Sequence, residues 1–246
     1  MKNNEKLWLI GFIEAEGCFH ISNKNQLILT ITQGYKNIYV LYYIQEILGF
    51  GKVIKQGSRT FRYVVQDKVG IKEILNLVNG NLYLEKRKNQ FKLFLENWNE
   101  KNPKQEIIYK DQNYKPNLQD AWISGFTDGD GCFNISYILT KKRFYIRFIL
   151  SQKEDISEFI EIFGVGSIEY NKSNQCYSFV IKDMETKETN RNMEIVFKYF
   201  QEFPLKTSKL NSLKLFQYLA GQLWNKQTLT EQKIAGIKTL IKLINE

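Results

Sequence analysis

The chain reads as an α+β protein made of two pseudo-symmetric copies of one unit, each expected to run helix, two strands, helix, two strands, helix. Three observations predict this. Trp8 to Ser22 reads WLIGFIEAEGCFHIS and Trp122 to Ser136 reads WISGFTDGDGCFNIS, with eight of the fifteen positions identical at a constant offset of 114. Each copy is followed by segments of alternating apolar and polar residues, the period of a half-buried strand. Each also carries a Gly-x-Gly turn, Gly49/Gly51 and Gly164/Gly166, closing a helical stretch. An internal repeat on this scale implies two copies of one structural unit about a pseudo-twofold axis.

Taken in order, the second copy starts most clearly. Pro116 precedes Asn117 and Asp120, which resemble a capping box, and Ala121 to Asp130 should be helical. Gly131, like Gly17 in the first copy, is expected to end its helix in a left-handed conformation. In Arg143–Leu150, Phe144, Ile146, Phe148 and Leu150 share one face, and Arg143, Tyr145 and Arg147 the other. A shift of 119 aligns Gln152 with Gln33 and puts Gln26, Ile28 and Thr30 on the same outward face. Helices are predicted over Ile38–Leu48 and Ile156–Phe163. In the second strand pair Arg62, Val64 and Gln66 face out, as do Ser178, Val180 and Lys182. The third helix of each copy holds FKLF (Phe91–Phe94) or LKLF (Leu213–Phe216). Asn97 to Pro116 is polar and contains two of the three prolines, so it reads as a linker. The resulting domains are 1–100, a linker at 101–116, and 117–246. A last helix, opened by Thr228 and Glu231, carries Ile234, Ile237, Ile241 and Ile244 on one face and is expected to cover one sheet.

Bulk composition bounds the chemistry. The 246 residues suffice for one large domain or two small ones. Lys and Arg total 35 against 26 acids, a formal charge of +9 that permits a polyanionic partner without naming one. No apolar run approaches the ~20 residues of a membrane span. Cys18, Cys132 and Cys176 form no C-x-x-C pair and read as buried free thiols of a reducing compartment. His20 is the single histidine, which excludes a histidine-rich metal site and nuclease types with a histidine base. Any metal must then be held by oxygen, which points to Mg²⁺ or a similar hard cation. The start, MKNNEKLWLIGF, matches neither a signal nor a transit peptide. Usage heavy in Lys, Asn, Ile and Tyr suits an AT-rich genome, and an organelle (mitochondrion or chloroplast) would supply one.

The ends of the repeated helices carry the functional signal. Glu14/Glu16 and Asp128/Asp130 sit in the last turn, where the helix dipole makes each carboxylate unfavourable by roughly 0.3–1 kcal/mol. A divalent cation shared between the copies would remove that conflict. Gly11 and Gly125 stand mid-helix, where glycine costs ~1 kcal/mol relative to alanine, and are expected where two backbones approach closely. Matched halves with matched acids suit a substrate that is itself nearly twofold, such as duplex DNA.

LIGFIEAEG (Leu9–Gly17) and ISGFTDGDG (Ile123–Gly131) closely resemble the paired motif of LAGLIDADG homing endonucleases in their single-chain, two-motif form. The resemblance implies two αββαββα halves, motif helices packed at the interface, and two curved antiparallel sheets forming a DNA-binding saddle. It implies that Glu16 and Asp130, with the carbonyls of Gly17 and Gly131, ligate two or three Mg²⁺ ions. Glu14 and Asp128 become interface acids, and Gln33 and Gln152 become residues that position solvent. A basic residue near the last helix is implied as well: Lys209 in copy two, and Lys86, Arg87 or Lys88 in copy one.

Each outward sheet face would lie in a major groove. In copy one the readers would be Lys24, Gln26, Ile28, Thr30, Lys52, Arg62 and Gln66; in copy two, Arg143, Tyr145, Arg147, Ser178 and Lys182. The expected protein is a monomeric, Mg²⁺-dependent, site-specific double-stranded DNA endonuclease with a long asymmetric target and no membrane association. Two alternatives stay open: an intron maturase acting on group I intron RNA, and a DNA-binding regulator without chemistry.

Overall fold

The computed structural model describes residues 1–112, 114–183, 191–224 and 230–245. The chain divides into two compact units, Met1–Gly129 and Asp130–Glu246. The first runs α1 (Asn3–Glu16), β1 (Gly17–Ile21), β2 (Leu27–Gly34), α2 (Ile38–Leu48), β3 (Lys52–Lys55), β4 (Thr60–Val65), α3 (Lys68–Val78) and α4 (Glu85–Lys101). After an irregular stretch comes α5 (Trp122–Asp130), whose last residue opens the second unit. That unit continues with β5 (Gly131–Ile138), β6 (Arg143–Gln152), α6 (Glu158–Phe163), β7 (Ser167–Asn171), β8 (Cys176–Lys182), α7 (Met193–Glu202), α8 (Lys209–Trp224) and α9 (Glu231–Ile241).

Each unit holds one antiparallel sheet, in the order β1-β2-β4-β3 and, identically, β5-β6-β8-β7. The alternation read from sequence sets the faces. Leu27, Leu29, Ile31, Tyr63 and Val65 are buried, and so are Ile146, Phe148 and Leu150, while Arg143 is exposed. The first sheet packs on α1 to α4, whose Val40, Leu41, Ile44, Phe91 and Phe94 complete the core. Each such side chain contributes about 1.5–3 kcal/mol of burial. Helix α2 has the bounds expected for it, and α6 starts two residues later than expected. Both end on a glycine at positive φ, Gly49 at 74° and Gly164 at 66°.

Several expectations need correction. Each copy has one more helix than predicted, α3 and α7, inserted before the helix that carries FKLF or LKLF. Helix α3 is capped by Asp67, whose Oδ1 accepts from Gly70 N at 2.8 Å, and it buries Ile71, Ile74, Leu75 and Val78. Gly17 is not left-handed: it sits at φ −74°, ψ 151°, and Gly131 is likewise absent from the positive-φ residues and opens β5. The chain passes from motif helix straight into strand, and at Gly17 a Cβ would stand 2.6 Å from Ile13 O. Asn117 is not a helix cap; Asp120 Oδ1 accepts from Trp122 N at 2.9 Å, and Asn117 Nδ2 donates to Asp120 Oδ2 at 2.8 Å.

The polar segment read as a linker begins as helix, since α4 runs to Lys101 and buries Trp98. Beyond it, asparagines pin the backbone. Asn79 donates to Ile108 O and accepts from Lys110 N, both at 2.8 Å, and Asn99 exchanges two bonds with Ile107. Thr228 lies outside the described residues; the cap of α9 is Thr230, whose side chain accepts from Lys233 N. Helix α9 packs on α8 and β5 as a cover, with Ile237 buried in the helix and Ile244 in the 3-10 turn that follows it. Cys18 is exposed rather than buried, because it falls on the outer face of β1, and Val180 is buried despite its outward register. No helix among the described residues is long and apolar enough to cross a membrane.

In the first unit α1 crosses the body of α5 at the two mid-helix glycines. A Cβ on Gly11 would lie 2.1 Å from Trp122 O, and one on Gly125 only 1.8 Å from Trp8 O. Backbone therefore touches backbone, and no side chain fits between. Gly125→Ala should lower unfolding stability by about 3 kcal/mol in urea melts, since the helices must separate to admit the methyl group. Gly236→Ala, in a helix where a Cβ meets nothing within 4 Å, should instead raise it by ~1 kcal/mol.

Candidate active site

The last turn of α1 holds two acids with different surroundings. Glu14 is buried, at 1% exposure. Its Oε1 accepts from Tyr83 N and its Oε2 from Leu84 N at 3.2 Å, so this carboxylate fixes the entry into α4. One turn on, Arg87 reaches back to the end of α1. Its Nε donates to Glu14 O at 2.7 Å and its Nη2 to Ala15 O at 3.1 Å, while Nη1 donates to Gln90 Oε1 at 2.9 Å. A cation on the last carbonyls offsets the negative end of the helix dipole and the acids beside it. Of the three basic candidates in copy one, Arg87 therefore serves the motif helix. Lys88 is buried in an ion pair with Glu85 at 2.7 Å, and Lys86 is exposed.

Asp128, the counterpart of Glu14, is also buried, and its Oδ2 accepts from the Trp8 indole at 2.8 Å. The matching indole of Trp122 is buried without a hydrogen-bond partner among the described residues. The repeat thus makes its indole–acid bond once, because Glu14 is drawn to the α4 entry instead. Glu16 and Asp130, by contrast, are half-exposed at the ends of α1 and α5. The Cα of Gly129, the residue before Asp130, lies against Ala15 and Glu16, where a Cβ would be 2.2 Å from Ala15 Cβ and 3.0 Å from Glu16 Cγ.

The two glutamines differ. Gln152 Nε2 donates to Asp130 Oδ2 at 2.5 Å, so the strand-end amide lies directly on the acid. Gln33, at the end of β2, is buried and accepts from Asn37 Nδ2 at 3.3 Å. Lys209 begins α8 with its backbone N donating to Thr207 Oγ1 at 3.3 Å. The charges of Lys209 and Arg147 both reach Cys132; they oppose the burial that pushes this thiol above its usual range, and burial prevails.

On the outer face of the first sheet, register sets His20 opposite Ile28, Thr30 between Cys18 and Val64, and Arg62 between Thr32 and Ile54. Lys24, Gln26, Lys52 and Gln66 are exposed, Ile28 and Arg62 half-buried, and Thr30 buried at 8% exposure. On the second sheet Asn134, Arg147 and Lys182 form one row. Arg147 Nη2 donates to Asn134 Oδ1 at 2.9 Å, and Lys182 pairs with Glu169 at 2.7 Å. Ser178 shares a hydroxyl bond of 2.8 Å with Ser151, and Arg143 lies 5.8 Å from the Tyr145 ring centre. Sequence reasoning missed His20, Thr32, Ile54, Asn134 and Ser136 on these faces. Alternation continued three residues past each motif glycine would have found His20 and Asn134.

The family model described as LAGLIDADG endonuclease matches residues 9–98 and, a second time, 123–220. The chain belongs to the LAGLIDADG endonuclease family. It is 36% identical over 233 residues to "Probable intron-encoded endonuclease 4" of Neurospora crassa, covering 89% of this chain and 41% of that protein. It is 29% identical over 221 residues to "Intron-encoded RNA maturase bI4" of Saccharomyces cerevisiae, covering 86% of this chain and 32% of that protein. The chain thus spans well under half the length of these two relatives. The crystal structure of the LAGLIDADG meganuclease I-AabMI bound to uncleaved DNA superposes with a TM-score of 0.78 at 20% identity, over 98% of this chain and 99% of that one. That likeness establishes the shared LAGLIDADG fold, an α+β architecture with a four-stranded antiparallel sheet in each half.

The cysteines give a check on the local electrostatics. Iodoacetamide at pH 8 should alkylate exposed Cys18 well before Cys132, whose raised pKa and burial both lower its thiolate population. Mass spectrometry of timed aliquots reads the order, and equal rates would contradict the partial burial of Cys132.

Proposed function

We propose that this LAGLIDADG protein is a site-specific double-stranded DNA endonuclease that hydrolyses one phosphodiester in each strand of a long asymmetric target. The observation that carries the reading is the division among the motif acids. Glu14 and Asp128 are buried and engaged by a backbone and an indole N–H, whereas Glu16 and Asp130 end their helices half-exposed. A carboxylate that reaches solvent at the negative end of a helix dipole is favoured by a cation bound beside it.

The donor chemistry fits a hard divalent ion. Among the described residues no group of three or more His, Cys, Asp or Glu could hold a metal. One carboxylate per motif, with the carbonyls of Gly17 and Gly131, suits Mg²⁺, which dehydrates reluctantly and shares its coordination with water and substrate phosphate. Glu16 and Asp130 would hold two or three such ions, which when bound polarise the scissile phosphates and offset the charge that develops on them. The chain's own groups do the rest. The Gln152 amide orients the Asp130 carboxylate and Gln33 holds polar surroundings at the end of β2. Lys209 supplies positive charge beside the second motif. The outer faces of the sheets seat the duplex, one half-site for each copy, through Lys24, Gln26, Ile28, Thr30, Lys52, Arg62 and Gln66 and through Arg143, Tyr145, Arg147, Ser178 and Lys182.

The copies are proposed to be 1–100 and 117–246 with 101–116 between them, in a protein that acts as a monomer. The intron-encoded relatives and the AT-rich residue usage support an organelle-encoded origin.

Mg²⁺-dependent cleavage of a randomised duplex DNA library tests the activity, with Glu16→Gln/Asp130→Asn as the control. Wild type should yield one long asymmetric cut site and the variant none. Enrichment by binding without any cut would favour the maturase or regulator reading. On the recovered site, Asn134→Ala should relax preference at the base pair read by Arg147, by about 1–3 kcal/mol of discrimination, with little loss of overall affinity. Uniform weakening across all sequences would assign Arg147 to a phosphate.

A further inference from the structure

Three tyrosines stand out on the surface of the first unit. Tyr35, Tyr39 and Tyr42 are 68%, 48% and 52% exposed. Tyr39 and Tyr42, three residues apart on α2, share a face, and Tyr35 precedes them in the 3-10 turn after β2, its ring centre 6.3 Å from that of Phe61. Large exposed aromatics on a soluble surface are costly unless something covers them. Cations flank Tyr35. Lys36 and Arg59 are exposed, and Tyr35 N donates to Arg59 O at 2.9 Å, which holds that loop against the turn. One acid, Glu46, lies exposed a turn beyond Tyr42, and burial together with the nearby Asp128 carboxylate raises the pKa of the Tyr39 hydroxyl.

The second copy shows that the fold does not require this face. Between the strand-end glutamine and the helix-closing glycine, a stretch four residues shorter in copy two, Glu154, Asp155, Glu158 and Glu161 stand where copy one has Tyr35, Lys36, Tyr39 and Tyr42. Acids there are what an ordinary helix start prefers, and Glu158 and Glu161 occupy the first turn of α6. Helix α2 has no acid in its first turn, and the stretch from Tyr35 to Tyr42 presents rings and a cation. That stretch is thus hostile to a polyanion in one copy and receptive in the other.

We infer that the Tyr35–Tyr39–Tyr42 surface of this turn and α2 is a stacking track for unpaired RNA, separate from the sheet face proposed for the duplex. Stacking on successive rings with cations alongside is the chemistry that binds single strands, and it needs bases free of a duplex. Intact DNA offers few such bases, whereas RNA presents them in loops and ends. A helix face of this size matches two or three nucleotides.

The test uses the whole protein and a fluorescein-labelled polyuridine RNA of about 20 nucleotides, read by anisotropy in excess unlabelled duplex DNA that occupies the sheet faces. Tyr39→Ser/Tyr42→Ser should weaken RNA binding by about tenfold or more, and Tyr39→Phe/Tyr42→Phe should retain it, since the ring does the stacking. Both sites are half-exposed, so the serine variant should melt with the wild type. Equal RNA affinity of wild type and serine variant would overturn the inference, as would complete displacement of RNA by duplex. Equally tight binding of the matching single-stranded DNA would overturn the assignment to RNA. Self-association in sedimentation that the serine variant abolishes, with RNA binding unchanged, would give the face to a second copy of the chain. Because cleavage is measured separately, failure here leaves the nuclease reading untouched.

Discussion

The backbone contact between α1 and α5 is the constraint from which the rest of the site follows. Gly11 faces Trp122 O and Gly125 faces Trp8 O, each so closely that a methyl group has no room. This approach fixes the rotation of both helices. The motif tryptophans and phenylalanines then point into the core, where Trp8 stacks on Phe12 at 5.1 Å and Trp122 on Phe126 at 4.9 Å. It also brings Gly129 onto Ala15 and Glu16, so the chain reaches Asp130 through a residue with no side chain of its own. Glycine's propensity cost in a helix, about 1 kcal/mol at each site, is small beside the burial of four aromatic rings.

That geometry explains why a helix end can carry two acids. Glu14 is a structural ligand for the backbone at Tyr83 and Leu84, and Arg87 returns a positive charge to the last carbonyls of α1. The electrostatic objection to the inner acid is met within the fold. Glu16, by contrast, stays half-exposed at the helix end, where a carboxylate can reach solvent and a cation. The two copies reach this condition by different routes. Asp128 is held by the Trp8 indole, the equivalent Trp122 indole has no partner, and Gln152 contacts Asp130 while Gln33 accepts from Asn37. Symmetry in sequence has become asymmetry in hydrogen bonding, as expected of a chain whose halves are free to diverge.

Much of this was legible in the residues. Period-two alternation over Arg143–Leu150 and the glycines after Leu48 and Phe163 specify local structure through side-chain burial and positive φ, both local properties. The close approach of Gly11 and Gly125 was readable because a costly residue recurred at one position. What stayed hidden depended on partners distant in sequence. Nothing near Arg87 says that it, rather than Lys86 or Lys88, reaches α1, since that depends on where α4 begins. The Asn134–Arg147 bond needs the register of β5 on β6, and Gly17 was misjudged because a helix that runs directly into a strand has no left-handed cap. Helix α3 was missed although Asp67 and its apolar spacing marked it. The segment after α4 looked like a linker because its asparagines are polar, yet their amides bind backbone.

The most direct test of the division of labour compares the unfolding free energies of Glu14→Gln and Glu16→Gln by urea denaturation. An amide at position 14 would set an NH₂ group against a backbone N–H, so Glu14→Gln should cost about 1–3 kcal/mol. Glu16 is half-exposed at its helix end, so Glu16→Gln should change stability by no more than about 0.5 kcal/mol. A Glu16→Gln protein as destabilised as Glu14→Gln would make Glu16 a structural acid and contradict its assignment to a cation site.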